Sequence, residues 1–207
     1  MPSSRGRRIK SPTHLAAMAI DPGGTTGIAF GVVPLKADST AAAFKAGDWI
    51  SEEVYGTASE QALYIWNAWA EWLDVLDSRK VGLPIMVRES FQLRPNKAHG
   101  AGSDPQMLAP VRVLAGIDAL MGEYGVATAG ERETLWKSRY DAMMIAGASP
   151  DDASGGVTAW RTRDQTPSER TVVSNDRLKR WGLWVKGSDH ERDAVRHLAL
   201  LCMKEAL

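Results

Sequence analysis

Five residues of the chain have the types and settings that metal-assisted chemistry needs. Asp21 closes an apolar run over residues 15–20, Glu89 follows a second over 85–87, and Asp189, His190 and Asp193 open a final amphipathic helix. Positions 189, 190 and 193 are neighbours on a helix surface, so one short patch presents two or three oxygen or nitrogen ligands together. Carboxylates crowded at one spot repel unless cations neutralise them. Carboxylates with an imidazole suit Mg²⁺ or Mn²⁺, and a chain with the single cysteine Cys202 offers no cysteine zinc site. Two such ions about 4 Å apart activate water and stabilise the leaving oxygen of a phosphodiester. If the fold brings Asp21, Glu89, His190 and Asp193 to one spot, the chemistry expected is metal-dependent hydrolysis of nucleic acid. Three of these residues also have an ordinary explanation, which fits Asp193, deeper in the helix, less well. Asp21 suits a turn, Glu89 a solvated strand end, and Asp189 after Ser188 a helix cap favoured by the helix dipole.

The elements that must position these groups follow from periodicity. Residues 15–20 are continuously apolar, as a strand buried on both faces requires, and residues 28–33 return antiparallel beside them. The turn between them holds Pro22, Gly23, Gly24 and Gly27, with so little bulk that a phosphate could approach closely. Residues 34–43 read as a loop and 44–51 as a third strand, giving three strands before the first helix. The clearest helix spans 57–78, with Ala62, Ile65, Trp66, Trp69, Leu73 and Leu76 on one stripe. Such a tryptophan stripe reads as core, with a dimer contact as the alternative. A strand over 85–87 then delivers Arg88 and Glu89. A helix from Pro105 carries Gly116, which allows close packing, and ends near Gly125 before a short strand over 126–129. Residues 140–148 read as a short helix, 176–181 as another capped by Ser174 or Asn175, and 189–206 as the last.

Composition sets the remaining bounds. With 207 residues, 44% of them apolar, the chain fits one domain over 15–207 with a sizeable core. No stretch approaches the roughly 20 apolar residues of a membrane span, and the basic N-terminal residues precede no apolar signal core. A reducing, cytoplasmic setting is expected, with Cys202 packed among Leu200, Leu201 and Met203. The formal net charge is +0, so interest falls on local patches. Residues 1–14 form a basic arm with Arg5, Arg7, Arg8 and Lys10. Residues 94–105 form a glycine-rich loop with Arg94, Lys97 and His99, suited to a phosphodiester backbone. A polar loop insertion over 149–170 carries Trp160, Arg161 and Arg163, the ingredients for stacking on unpaired bases. Lys137 is a further candidate phosphate contact.

Taken together, the motifs resemble the RuvC-like Holliday junction resolvases of the ribonuclease H-like superfamily, particularly phage-borne members. The resemblance rests on Asp21-Pro22-Gly23 with Thr26-Gly27, on Glu89 closing Met86-Val87-Arg88, and on His190-Glu191-Arg192-Asp193-Ala194. It covers roughly residues 15–145 and 171–205. It implies an α/β ribonuclease H-like fold, with a mixed central sheet of three antiparallel strands continued by parallel ones and helices on both sides. By the same resemblance Asp21, Glu89, His190 and Asp193, with Asp189 instead of or beside His190, bind two Mg²⁺ or Mn²⁺ ions. Phe91 lies near the aromatic that distorts junction DNA in the family, one residue short of its usual offset from the glutamate, and Lys137 near a basic residue at the scissile phosphate. The implied protein is a homodimer that cuts branched DNA in recombination and repair, leaving a 5′-phosphate and a 3′-hydroxyl. The alternatives are a flap or single-strand nuclease of the same fold, a non-catalytic DNA-binding relative, and an actin-like phosphotransferase. The last is suggested by the Asp-x-Gly-Gly-Thr-x-Gly pattern, but a second phosphate-binding lobe is missing from the sequence.

Overall fold

The computed structural model describes residues 12–76, 81, 84–90, 108–128, 145–146, 173 and 175–205; at 89, 90, 121–128, 145, 146, 204 and 205 the description is of backbone alone. Its centre is β1 (His14–Asp21), flanked by β2 (Thr26–Pro34) and β4 (Ile85–Ser90). β1 runs antiparallel to β2, with Asp21 opposite Gly27, and parallel to β4, with Ile20 opposite Arg88. β3 (Asp48–Val54) adds antiparallel to the outer edge of β2. The two-residue β5 (Ile145–Ala146) pairs parallel with β4, giving the order β3-β2-β1-β4-β5. The expected arrangement of three antiparallel strands joined to a parallel one is therefore present.

Strand alternation divides the core in two. Met18, Ile20, Ile28, Phe30 and Met86 face α2 (Ala58–Val75) and α3 (Ala109–Thr128). Leu15, Ala17, Ala19, Ala29, Val33, Ile85 and Val87 face the other way, toward α1 (Thr40–Ala46), α4 (Asn175–Trp181) and α5 (Asp189–Glu205). Helices thus cover both faces, which is why β1 has no polar side until Asp21.

α2 begins with a capping box: Glu60 N–H donates to Thr57 Oγ1 while the Glu60 carboxylate accepts from Thr57 N–H. Its tryptophans pack on the core, Trp66 and Trp72 half-buried, whereas Leu73 of the expected stripe is exposed. Trp69 is buried, and Trp72 packs on Trp69 and on Phe30, with ring centroids 5.4 and 5.2 Å apart. Gln61, also buried, donates from Nε2 to the carbonyls of Gly24 and Gly56, both at 2.9 Å, and so fastens α2 to the β1–β2 turn. Gly116 lets α3 lie against α2, since a Cβ there would stand 2.7 Å from that of Ala62. Cys202 is buried as expected, and burial pushes its thiol up to about 12.

Four local expectations are corrected. Residues 40–46 are helix, because Ser39 accepts from Ala42 N–H at 3.2 Å and the alanine-rich run that follows buries Ala43 and Phe44. The third strand consequently starts later, at Asp48. α3 continues to Thr128, so its last turns take up most of the strand expected over 126–129. Ile145 and Ala146, placed by sequence in a helix, add to the sheet edge beyond β4. Among the described residues no helix is long and apolar enough to cross a membrane.

Candidate active site

α5 crosses β2 and β1 and reaches β4, and its start lies over the end of β1. Two glycines make that approach possible. A Cβ on Gly27 would stand 2.0 Å from the carbonyl oxygen of His190 and 2.7 Å from the Glu191 nitrogen. A Cβ on Gly23 would stand 2.7 Å from His190 Cε1. The space expected to admit a phosphate at these two positions is thus taken by the first turn of α5; Gly24 alone faces open space. Ser188 begins the helix, accepting from Glu191 N–H at 3.3 Å, and Ser51 Oγ on β3 donates to the Glu191 carboxylate at 2.7 Å. Ser188, not Asp189, is therefore the cap.

This docking brings together residues far apart in sequence. Asp21, 3% exposed, receives His190 Nδ1 at 2.7 Å on Oδ2. A carboxylate only accepts, so the proton of that bond sits on Nδ1. The hydrogen bond to Asp21 holds the imidazole above the ordinary histidine range against the opposing effect of burial, helped by the charges of Asp21, Asp193 and Glu53. Asp193, one turn on, is raised from 3.8 to about 6, first by burial and then by the negative charge of Asp21. Two carboxylates that oppose each other's ionisation in a partly dry pocket form an arrangement a divalent cation relieves.

Position 89 completes the pattern at the level of the backbone. The β1–β4 register, continued one step past Ile20 and Arg88, sets Glu89 beside Asp21, and alternation puts both positions on the α5 face. Arg88, on the opposite face, pairs with Asp118 of α3 at 2.8 Å. Asp189 is not brought to the cluster: its side chain is 82% exposed and pairs with Arg192 at 2.5 Å, which holds its carboxyl below the usual range. Phe91, Arg94, Lys97, Lys137, Arg161 and Arg163 lie outside the described residues.

Sequence reasoning passed over two residues here. Arg196, 1% exposed, pairs with Asp193, donates from Nε to the Val173 carbonyl at 3.1 Å, and reaches Asn175 Oδ1. It is an internal counter-ion that also ties α5 to the start of α4. His197, fully buried, places Nε2 3.8 Å from Asp21 Oδ1. Both sit within an apolar run that reads as core. The findable signal was the 190, 193, 197 spacing, three then four residues, which sets all three on one helix stripe.

As a cation site, the donor set fits a hard divalent ion: carboxylate oxygens at Asp21 and Asp193 and a glutamate at the adjoining strand position, while His190, expected as a ligand, is engaged on Asp21 through Nδ1. Among the described residues no three His, Cys, Asp or Glu side chains are already gathered as ligands, for Asp193 is turned to Arg196. A scan against protein-family models gives no match, and no curated protein matches the chain at a significant level.

Proposed function

We propose that the protein is a divalent-metal-dependent, structure-specific DNA endonuclease of the RuvC-like, ribonuclease H-like type, acting on four-way junctions as a homodimer. The observation that carries this reading is the meeting of Asp21, at the exit of the central strand, with His190 and Asp193 on α5. The β1–β4 register adds a glutamate position on the same sheet face. In this reading Asp21, Asp193 and Glu89 hold Mg²⁺ or Mn²⁺. His190 orients Asp21 through Oδ2 and keeps a proton at Nδ1. Arg196 pairs with Asp193 and would share that carboxylate with a bound cation. The bound ions supply Lewis-acid stabilisation of the charge that develops on the phosphodiester and on its 3′ leaving oxygen. His190 is half-buried beside the almost wholly buried Asp21, so solvent reaches the site on the imidazole side.

The actin-like phosphotransferase reading loses its main support, because Gly23 and Gly27 are accounted for by the docking of α5. A flap or single-strand nuclease built on the same site is the second reading, and substrate choice separates the two. Labelled four-way junction, flap and single-strand DNA are incubated with Mg²⁺ or Mn²⁺ and the parent, Asp21→Asn, Asp193→Asn or Asp189→Asn. The parent is expected to nick junctions at symmetric positions, leaving 5′-phosphates. D21N and D193N are expected to lose detectable cleavage while still shifting junction DNA in a gel, and D189N to lose much less. Equal cleavage by parent and D21N would remove the site from the mechanism. Preference for flaps would transfer the assignment to the second reading.

A further inference from the structure

We propose that His197 is a positioning residue for Asp21, holding one carboxylate oxygen while His190 holds the other, so that the carboxylate keeps a single orientation toward the cation pocket. The inference rests on the metal-site reading above and goes beyond it by adding a residue that motif reasoning assigns to the core. Three features of the geometry carry it. First, His190 and His197 address different oxygens of the same group: Nδ1 of His190 lies 2.7 Å from Oδ2, and Nε2 of His197 lies 3.8 Å from Oδ1. Second, 190, 193 and 197 form one stripe of α5, so a single rigid element sets both imidazoles relative to Asp193. Third, His197 is fully buried, so its ring is fixed in place beneath Asp21 and not free in solvent.

At 3.8 Å the contact is longer than a hydrogen bond and acts through electrostatics and shape. Restricting the rotation of a ligand before the ion arrives removes an ordering cost from binding, the part that groups behind a ligand commonly play. Losing such support typically costs about 10- to 100-fold in metal affinity.

The test uses the full chain and Mn²⁺ as probe, read by electron paramagnetic resonance titration, with thermal unfolding as the check on folding and single-turnover junction cleavage as a second readout. His197→Leu is expected to stay folded and to bind Mn²⁺ about 10- to 100-fold more weakly, with cleavage falling in parallel. His197→Gln, whose amide nitrogen reaches about as far as Nε2, is expected to recover most of the affinity, and His197→Asn, which stops short, to recover little. Parent-like Mn²⁺ affinity in H197L overturns the inference. Should H197L fail to fold, equal affinities for the Gln and Asn variants overturn it instead. Asp21→Asn separates the two levels: if it binds Mn²⁺ as tightly as the parent, the metal-site reading itself fails and the role of His197 goes with it. If D21N loses the ion and H197L does not, only the positioning role fails.

Discussion

The charges around Asp21 tie stability to pH, and the sign follows from which state holds the proton. Asp193 titrates at about 6 in the folded chain against an ordinary 3.8. Between those values the native state keeps a proton that the unfolded chain releases, so stability falls as pH rises through the window. His190 acts in the same direction. Its pKa is raised by Asp21, so its contribution is full below the ordinary 6.5 and is lost as pH climbs past the raised value. In EDTA, the unfolding temperature of Asp193→Asn relative to the parent is expected to climb between about pH 4 and 6.5. Adding Mg²⁺ above pH 6 should close the gap by stabilising only the parent. A difference that stays constant with pH would contradict the placement of Asp193 beside Asp21. At this scale the sequence was informative where a charged residue interrupts an apolar pattern at its edge, as at Asp21, His190 and Asp193. At Arg196 and His197 the neighbours Val195, Leu198 and Leu201 make the run look like ordinary core, and only the 190, 193, 197 spacing points to His197. The exclusion of Asp189 depended on which way the first turn faces, which the Arg192 pair decides.

The docking of one helix on one hairpin governs the site at the level of elements. Gly27→Ala would bring a methyl group against the backbone of His190 and Glu191, neither of which can rotate out of the way. The helix must lift, at a cost of about 1–3 kcal/mol, and His190 moves off Asp21 with it. Gly24→Ala meets nothing within 4 Å and is the matched control. Thermal unfolding and cleavage of the two variants should separate clearly, G24A behaving as the parent and G27A losing both stability and activity. Similar behaviour would mean that α5 does not sit as described. β1, β2, β4, α2 and α5 were legible because each carries a long period-two, continuous or three-four apolar pattern. α1 was hidden because seven residues give too little pattern, its one clear sign being Ser39 before the alanines. The end of α3 was misread because Gly125 looks like a stop, although the helix continues past it. β5, at two residues, is defined by pairing with β4 and has no pattern of its own.

For the whole molecule, a formal net charge of +0 gives no general field favouring a polyanion, so under the proposed nuclease function local cations would supply the attraction to DNA. Replacing Arg5, Arg7, Arg8 and Lys10 with glutamine is expected to weaken junction binding. It should also flatten the dependence of log affinity on log salt by about 0.9 for every arm cation that meets a phosphate. Fluorescence anisotropy at several salt concentrations measures this, and an unchanged slope would assign the contacts elsewhere. The division of the core between two faces of one sheet has a further consequence. Synthesis delivers Asp21 and the hairpin early, but the helix bearing His190 and Asp193 comes more than 160 positions later, and the same helix roofs Ala17, Ala19, Ala29 and Val33. A growing polypeptide that has not yet made that helix would leave this apolar face without the cover α5 gives it, and would hold Asp21 without the His190 that meets it. Assembly of the cluster around Asp21 and burial of that surface therefore arrive together.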